Sequence, residues 1–384
     1  MGQRSTTLAI VAAVALLIAG CAPAQPAFLP VPSGQPVPTP DGVPGDVRSS
    51  SLDDRGPLRP AGTPTPMISG LSAPWSVVPL PVGSTLVSER DTARVLEHTR
   101  EGDVRVVGTV PNVVPGGEGG LLGLAAHDAG TPYLYAYYTS GSDNRIVRFE
   151  LLGAPGRYEL GASDEVLTGI PRSRTHNGGR LAFGPDGMLY ATTGDAGRPA
   201  LAQDQNSLAG KILRLTPDGA VPDDNPTPGS YVYTLGHRNP QGLAFDARGQ
   251  LWAAEFGQNT WDELNLIEPG SNYGWPEVEG GGGGAEFVDP VQQWSTSEAS
   301  PSGLGIVGDT LVLASLRGQR LWLVDLDDPS ESTAVYAGEF GRLRDALAGP
   351  DGTLWFLTNN TDGRGSPRAG DDRLYSVPLL PRED

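Results

Sequence analysis

The stretch Pro185-Asp186-Gly187-Met188-Leu189-Tyr190-Ala191-Thr192-Thr193-Gly194 combines a tight turn with a short apolar strand. Asp-Gly favours such a turn because glycine adopts a positive φ without steric cost. A glycine followed by a strand-like apolar run occurs six times, at Gly83, Gly130, Gly187, Gly249, Gly308 and Gly352. A recurring unit of this kind points to a repeat architecture.

The intervals between these six glycines are 44 to 62 residues, which suits a four-stranded propeller blade. Few segments show a sustained helical period. The spacing therefore predicts an all-β fold, a six-bladed β-propeller with four-stranded antiparallel blades, over residues 67–384. A β-sandwich with long loops is the alternative, but it does not explain six recurrences at similar spacing.

The first 20 residues have the pattern of a secretory signal. Residues 8–19 form an almost unbroken apolar run after Arg4, too short to span a bilayer comfortably. The sequence Leu17-Ile18-Ala19-Gly20-Cys21 resembles the bacterial lipobox, in which the cysteine is acylated. We expect a lipoprotein signal peptide over residues 1–20, a lipidated Cys21, and an exported protein lipid-anchored to the outer face of the bacterial cell membrane. An ordinary signal peptide with an incidental cysteine is the alternative.

Residues 21–66 are rich in proline, which recurs twelve times between positions 22 and 66. Because proline lacks an N–H, this composition predicts a disordered, extended and semi-rigid tether. The formal charge of −18 disfavours nucleic acid as a partner and disfavours adsorption to anionic lipid. The N-terminal lipid is therefore the only expected membrane contact.

The densest polar segment is residues 175–183, followed by residues 193–195. His176 stands just before a predicted strand and Asp195 just after the next one, so a hairpin would bring them to the same end of a blade. An imidazole held by a carboxylate is a good general base near neutral pH. The alternative is a structural histidine that caps the hairpin.

Three further segments are candidates for chemistry. Residues 235–243 include Arg238, and residues 255–265 with 272–276 pack carbonyls and carboxylates in a way that suits calcium. Arg342 and Arg344 lie on one side of a strand and require an anion between or opposite them. The alternatives are a solvated loop, Asx turns, and arginines paired with acidic neighbours such as Glu339 and Asp345.

Taken together and in order, these segments resemble the soluble glucose and aldose sugar dehydrogenases that use pyrroloquinoline quinone (PQQ). The resemblance is carried by residues 116–123, 176–181, 194–195, 235–243, 262–265, 272–276 and 342–345. The lipid-anchored, proline-tethered form also resembles the LppZ type of lipoprotein. The family fold is a six-bladed propeller with PQQ at the mouth of its channel.

The resemblance implies that His176 removes the proton of the anomeric hydroxyl of an aldose while a hydride passes to PQQ, giving a lactone. Asp195 would orient His176, and Arg238 would stabilise charge on the quinone oxygen. The electron acceptor would be an unknown component of the cell envelope. Implied PQQ-binding residues are Glu118, Asn239, Gln241, Asp262, Trp294, Thr296, Arg317, Arg342 and Arg344. Implied calcium ligands are Gly257, Gln258, Glu263 and Tyr273.

The sequence departs from the family pattern at several positions. Gln258 replaces a proline, Arg317 a lysine and Phe256 a polar residue, and the glycine run 280–284 replaces a segment that elsewhere helps to hold a second calcium. Two other functions are therefore considered: a non-catalytic cell-envelope binding propeller, and a calcium-dependent hydrolase of the lactonase type.

Overall fold

The structure is a computed structural model that describes residues 1–2, 57–81, 83–128 and 130–381. Cys21, the apolar run 8–19 and most of the predicted tether lie outside the described residues. Within the described part, no helix is long and apolar enough to cross a membrane.

The described chain forms six four-stranded antiparallel sheets, the blades, and one two-stranded pair. The N-terminal strands are β1 (Leu58–Pro60) and β2 (Thr65–Ile68). Blade 1 contains β3 (Pro74–Pro79), β4 (Thr85–Glu89), β5 (Arg94–His98) and β6 (Val104–Thr109); blade 2 contains β7 (Leu121–Asp128), β8 (Pro132–Thr139), β9 (Asn144–Leu152) and β10 (Glu159–Ile170). Blade 3 contains β11 (Leu181–Phe183), β12 (Leu189–Thr193), β13 (Lys211–Leu215) and β14 (Val232–Leu235), with a short 3-10 helix (Pro199–Ala202) in the loop after β12.

Blade 4 contains β15 (Pro240–Phe245), β16 (Leu251–Glu255), β17 (Trp261–Ile267) and β18 (Gln292–Ser295). Blade 5 contains β19 (Pro301–Val307), β20 (Thr310–Ser315), β21 (Arg320–Asp325) and β22 (Ser332–Val335). Blade 6 contains β23 (Leu343–Ala348), β24 (Leu354–Thr358) and β25 (Leu374–Val377), and β26 (Leu379–Pro381) follows it. The predicted six-bladed, all-β fold is thereby confirmed.

Each of the six glycine-led runs is the second strand of its blade. The first strands β3, β7, β11, β15, β19 and β23 contact one another in turn and so form the inner ring of the propeller. The N-terminal strand β2 is the outermost strand of blade 6, where it pairs with β25 and completes the four-stranded sheet. The two ends of the propeller domain are therefore held in one sheet.

Strand structure begins at Leu58, earlier than the domain start that the proline content predicts at residue 67. Strand β1 pairs with β26, with Leu58 opposite Pro381 and Pro60 opposite Leu379. In this isolated two-stranded pair each strand has one free edge, where a proline without an N–H is tolerated. A contact outside this pair also holds β1, because the Leu58 amide donates a hydrogen bond to Thr310 Oγ1 of blade 5 at 2.7 Å.

The apolar core lies between neighbouring blades. One cluster packs Phe340, which precedes blade 6, against Phe356 and Tyr375 within it, with ring centroids 4.9 to 5.1 Å apart. Aromatic pairs at these distances add stabilisation to the burial of their apolar area. The second strand of every blade is almost entirely buried, which agrees with the apolar character of those six runs.

Lys211, the sole lysine of the chain, has a structural role in blade 3. Its side chain is fully buried, and Nζ donates to the main-chain oxygens of Leu201, Ala202 and Ala209 at 2.7, 2.8 and 2.7 Å. Burial lowers the pKa of the ammonium to about 8. The ammonium thus ties the loop between β12 and β13 to the sheet.

We predict that Lys211→Met lowers the free energy of unfolding by about 3 kcal/mol, because buried carbonyls lose their donor. Urea denaturation of the two proteins measures the difference. Arg100→Met, at an exposed position, is the control and should change stability little. An unchanged midpoint for Lys211→Met would show that the three contacts contribute no net stability.

Candidate active site

A cleft of about 300 Å³ opens at one end of the inner ring. Twelve of the predicted site residues line it: Glu118, His176, Arg238, Asn239, Gln241, Gly257, Gln258, Asp262, Thr296, Arg317, Arg342 and Arg344. A larger cavity of about 520 Å³ lies between β1 and blade 5, but none of the predicted site residues line it. The chemistry of the first cleft makes it the candidate site.

The cleft residues converge because of strand direction. In each antiparallel blade the first strand begins at the rim where the second strand ends. His176 precedes the first strand of blade 3, and Arg238 precedes that of blade 4; Arg317 follows the second strand of blade 5. Residues far apart in the chain are therefore brought to one rim.

His176 and Asp195 meet as the hairpin pattern predicts. His176 Nδ1 lies 2.8 Å from Asp195 Oδ1. Asp195 is fully buried, and it also accepts hydrogen bonds from the Gly197 amide at 2.7 Å and from Trp275 Nε1 at 2.9 Å. The carboxylate is thereby fixed on three sides and holds the imidazole at the wall of the cleft.

The backbone of His176 is held in an unusual conformation. Its φ is +58°, a region that side-chain-bearing residues rarely occupy and that costs free energy. The His176 amide donates to Glu118 Oε2 at 2.8 Å, and its carbonyl accepts from the Ala196 amide at 3.1 Å. Glu118 also pairs with Arg364 at 3.0 Å across the mouth of the cleft, which links blades 2 and 6.

Arg238 is a desolvated cation in the wall of the cleft. Nη1 donates to the main-chain oxygen of Phe256 at 3.2 Å, and the guanidinium lies 5.4 Å from the ring centroid of Trp275. Nε is buried without a hydrogen-bond partner in the described structure. Burial lowers the pKa of Arg238. The Arg238 amide donates to the buried Glu255, which fixes the start of the next strand.

Arg342 and Arg344 share an acidic partner, but it is neither of those suggested by the sequence. Arg342 Nη2 lies 2.8 Å from Asp362 Oδ2, and Arg344 Nη2 lies 3.8 Å from the same atom. Although burial opposes ionisation, the two arginines lower the pKa of Asp362. Asp345 pairs instead with Arg180, at 2.9 Å.

Arg344 is the most deeply buried cation of the cleft. Its Nη1 donates to Gln241 Oε1 at 2.9 Å and to Ser302 Oγ at 3.2 Å, whereas Nε has no partner among the described residues. Burial lowers the pKa of Arg344 to about 9. Trp75 lies 5.8 Å from this guanidinium and 4.4 Å from that of Arg180. The floor of the cleft is thus an indole between two arginines.

The cleft is locally cationic in an acidic protein. Six arginines line it, against three carboxylates. The arginines are Arg90, Arg238, Arg317, Arg342, Arg344 and Arg364, and the carboxylates are those of Glu118, Asp262 and Asp362. Because guanidinium forks bind carboxylates bidentately, this cleft suits a ligand with several carboxylates.

The loop after β16 forms one wall of the cleft. The Gly257 amide donates to Asp262 Oδ1 at 2.9 Å, and a side chain at Gly257 would collide with the Trp261 carbonyl. The Ser300 amide donates to the other Asp262 oxygen at 2.5 Å. Burial raises the pKa of Asp262 to about 6.

The structure corrects the expected placement of Trp294. This residue lies in β18, at the outer edge of blade 4, and it is not part of the cleft wall. Its ring stacks on Trp322 at 5.6 Å, and Nε1 donates to Ser332 Oγ at 3.0 Å. The indole therefore packs blade 4 against blade 5, and Trp75 supplies the aromatic surface of the cleft.

Glu263 and Tyr273 also lie away from the cleft, which corrects their placement as calcium ligands beside Gly257 and Gln258. Burial and the neighbouring charge of Glu255 raise the pKa of Glu263 to about 8. Tyr273 stacks on His237, and its hydroxyl donates to the Leu266 carbonyl at 2.7 Å. Within the described residues there is no cluster of three or more His, Cys, Asp or Glu that could hold a metal ion.

Sequence reasoning missed several residues of the cleft: Trp75, Arg90, Ser300, Leu316, Asp362 and Arg364. A signal for three of them was present in the repeat. Arg90 and Leu316 directly follow the second strands of blades 1 and 5, as Phe256 does in blade 4, and Asp362 follows the second strand of blade 6 closely. The position after each glycine-led strand was the informative feature.

Similarity to known proteins identifies the family of this chain. The family model described as glucose/sorbosone dehydrogenase matches residues 71–368. The chain is 50% identical to the PQQ-bound aldose sugar dehydrogenase of Streptomyces coelicolor, whose structure it matches with a TM-score of 0.80 over 85% of this chain and 99% of that one.

Two curated relatives are more distant. Quinoprotein glucose dehydrogenase B of Acinetobacter calcoaceticus is 37% identical over 56% of this chain, and the match spans only 52% of that protein. Aldose sugar dehydrogenase YliI of Escherichia coli is 30% identical over 67% of this chain and 80% of its own length. The chain therefore belongs to the glucose/sorbosone dehydrogenase family.

Proposed function

We propose that this protein is a PQQ-dependent aldose sugar dehydrogenase that oxidises the anomeric hydroxyl of an aldose to a lactone. The observation that carries the proposal is the His176–Asp195 pair on the wall of an arginine-lined cleft. Relatives named as sugar dehydrogenases, one of them bound to PQQ, support it.

The cleft residues fit PQQ, a planar tricarboxylate. Arg342 and Arg317 would hold carboxylates near the rim, and Arg344 would do so deeper in the cleft. The unpaired buried Nε atoms of Arg238 and Arg344 leave donors for an added acceptor. Bound PQQ supplies a quinone that accepts two electrons and a proton from the sugar.

His176 would act as the general base. Its Nδ1 faces the Asp195 carboxylate, so the proton is retained at Nδ1 and Nε2 is left as the acceptor. Nε2 would then take the proton of the anomeric hydroxyl. Asp195 would stabilise the resulting imidazolium, because three hydrogen-bond donors already hold its negative charge beside the ring.

Arg238 would stabilise negative charge that develops during the reaction. The cation is desolvated and is fixed by Phe256 and Trp275 before any ligand enters. A preorganised donor of this kind needs no reorganisation when charge develops, and such electrostatic stabilisation is usually the largest catalytic contribution.

Two residues of the cleft would bind calcium through their main-chain carbonyls. Gly257 and Gln258 line the cleft, and main-chain carbonyls are oxygen ligands of the kind that calcium prefers. The predicted set of four ligands is not assembled, because Glu263 and Tyr273 lie elsewhere. Two carbonyls alone leave most of the coordination to the bound cofactor and to water, and we propose that calcium binds together with PQQ.

The function is tested by titrating the full chain with PQQ, with and without calcium, and then measuring dye reduction with a panel of aldoses. We expect saturable binding, and a dissociation constant that rises about tenfold in Arg342→Gln, because a charged hydrogen-bond partner is lost. Arg248→Gln, at an exposed arginine, is the control and should bind as the unmodified protein does. Absence of PQQ binding by a folded protein would contradict the proposal and favour a non-catalytic binding propeller.

We predict that His176→Ala lowers kcat for aldose oxidation by about a thousandfold, since a general base contributes 10² to 10⁴. PQQ affinity should stay within about threefold of the original value, because the charged donors remain. His127→Ala is the control, because His127 stacks on Phe183 outside the cleft. Loss of PQQ affinity in His176→Ala with the fold intact would instead assign His176 to cofactor binding.

We further propose that the protein is exported and lipid-anchored through Cys21, with an envelope component as electron acceptor. Cells expressing the full chain and labelled with a radioactive fatty acid should yield a labelled, membrane-bound protein. Cys21→Ser should abolish the label and release the protein from the membrane, because the sole cysteine is the only thiol available for acylation. A labelled Cys21→Ser protein would contradict this site.

A further inference from the structure

The side chain of Glu279 accepts hydrogen bonds from a row of main-chain amides. Its Oε1 atom accepts hydrogen bonds from four successive amides: Gln258 at 2.6 Å, Asn259 at 2.9 Å, Thr260 at 2.9 Å and Trp261 at 3.2 Å. Successive N–H groups that converge in this way form an anion-binding concavity. Although burial opposes its ionisation, these donors lower the pKa of Glu279.

Glu279 is itself held by the backbone that follows it. The Gly280 amide donates to Glu263 at 2.7 Å, and the Gly281 amide donates to Gln293 Oε1 at 3.0 Å. Farther along the glycine run, the Gly282 amide donates to Asp289 at 2.9 Å. The glycine run is therefore a tied segment that presents Glu279 to the cleft loop.

The four hydrogen bonds fix the direction of the carbonyls in the cleft loop. The described cis peptides lie elsewhere, at 275–276 and 371–372, so the peptides of residues 257–261 are trans. In a trans peptide the N–H and C=O point in opposite directions. With the amides of Gln258 and Asn259 on Glu279, the carbonyls of Gly257 and Gln258 point away from it. Both of these residues line the cleft, and Glu279 does not.

Little else orders this loop. Gln258, Asn259 and Thr260 are exposed, so apolar burial contributes little to their position. Other contacts of this loop are the hydrogen bond from the Gly257 amide to Asp262, a 3.4 Å hydrogen bond from Thr296 Oγ1 to the Asn259 carbonyl, and the pairing of Trp261 with Ser295 at its end. A loop with so few buried contacts is expected to open readily once its anchor is removed.

We propose that Glu279 is a positioning residue, which orders the cleft loop 257–261 and so aims the carbonyls of Gly257 and Gln258 for ligand binding. The effect of Glu279 on the loop follows from its hydrogen bonds to the amides of residues 258–261. The consequence for PQQ and calcium rests on the proposed function.

The test uses the full chain without added ligand, in the unmodified form and as Glu279→Ala, Glu279→Gln and Glu286→Ala. Amide hydrogen exchange of the peptide that covers residues 256–262 is the first measurement. We expect exchange about tenfold faster in Glu279→Ala, because one carboxylate satisfies four amides. Glu279→Gln keeps an oxygen acceptor without the charge, so its exchange rate should lie between those of the unmodified protein and of Glu279→Ala. Glu286→Ala changes an exposed residue, and its exchange rate should match that of the unmodified protein.

PQQ titration with calcium is the second measurement. If the proposed function holds, Glu279→Ala should weaken PQQ binding about tenfold and Glu279→Gln should weaken it less. Unchanged exchange in Glu279→Ala would overturn the positioning role, and so would faster exchange with undiminished PQQ affinity. If the unmodified protein binds no PQQ, the proposed function fails, whereas faster exchange confined to residues 256–262 still supports Glu279 as the anchor of this loop.

Discussion

The antiparallel order of the blades is the constraint on which the site depends. In every blade the first strand starts at the rim where the second strand ends. The loop before the first strand and the loop after the second strand therefore reach the same rim of the inner ring. His176 before β11 and Arg238 before β15 meet residues such as Asp362 after β24 in this way.

A buried carboxylate must be satisfied by donors, and the way Asp195 is satisfied determines what His176 can do. Its donors come from Gly197 in its own loop, from Trp275 in the loop between β17 and β18, and from His176. An unpaired charge at this depth would be costly. Since Trp275 also lies under the guanidinium of Arg238, one shared indole contacts both the partner of His176 and the cation.

The repeat allowed the fold to be predicted, because turn chemistry and strand burial are local properties, whereas most of the candidate site residues were implied by the resemblance to a known family. The meeting of His176 with Asp195 was predictable because both flank one hairpin. Trp294 and Tyr273 were misplaced because the burial of an aromatic side chain is decided by packing between blades, which no local pattern contains. Arg90 and Asp362 stand in polar segments, 88–92 and 359–364, but they were missed because only the arrangement of the blades brings these two segments to the cleft. Glu279 escaped notice for a related reason: its partners are main-chain amides, and no residue type at positions 258–261 records that they are needed.

The balance of charge in the cleft explains how an acidic protein can retain an anionic cofactor. A net charge of −18 repels anions at long range, but salt screens that repulsion beyond about 8 to 10 Å. Within the cleft, Asp362 alone serves both Arg342 and Arg344, and two guanidinium Nε atoms keep unused donors. The protein thus holds its arginines in place with fewer carboxylates than full neutralisation needs. A ligand that brings its own carboxylates supplies the missing charge, so the deepest part of the cleft favours an anionic ligand over a neutral one, and the proposed function puts the sugar at the rim beside His176.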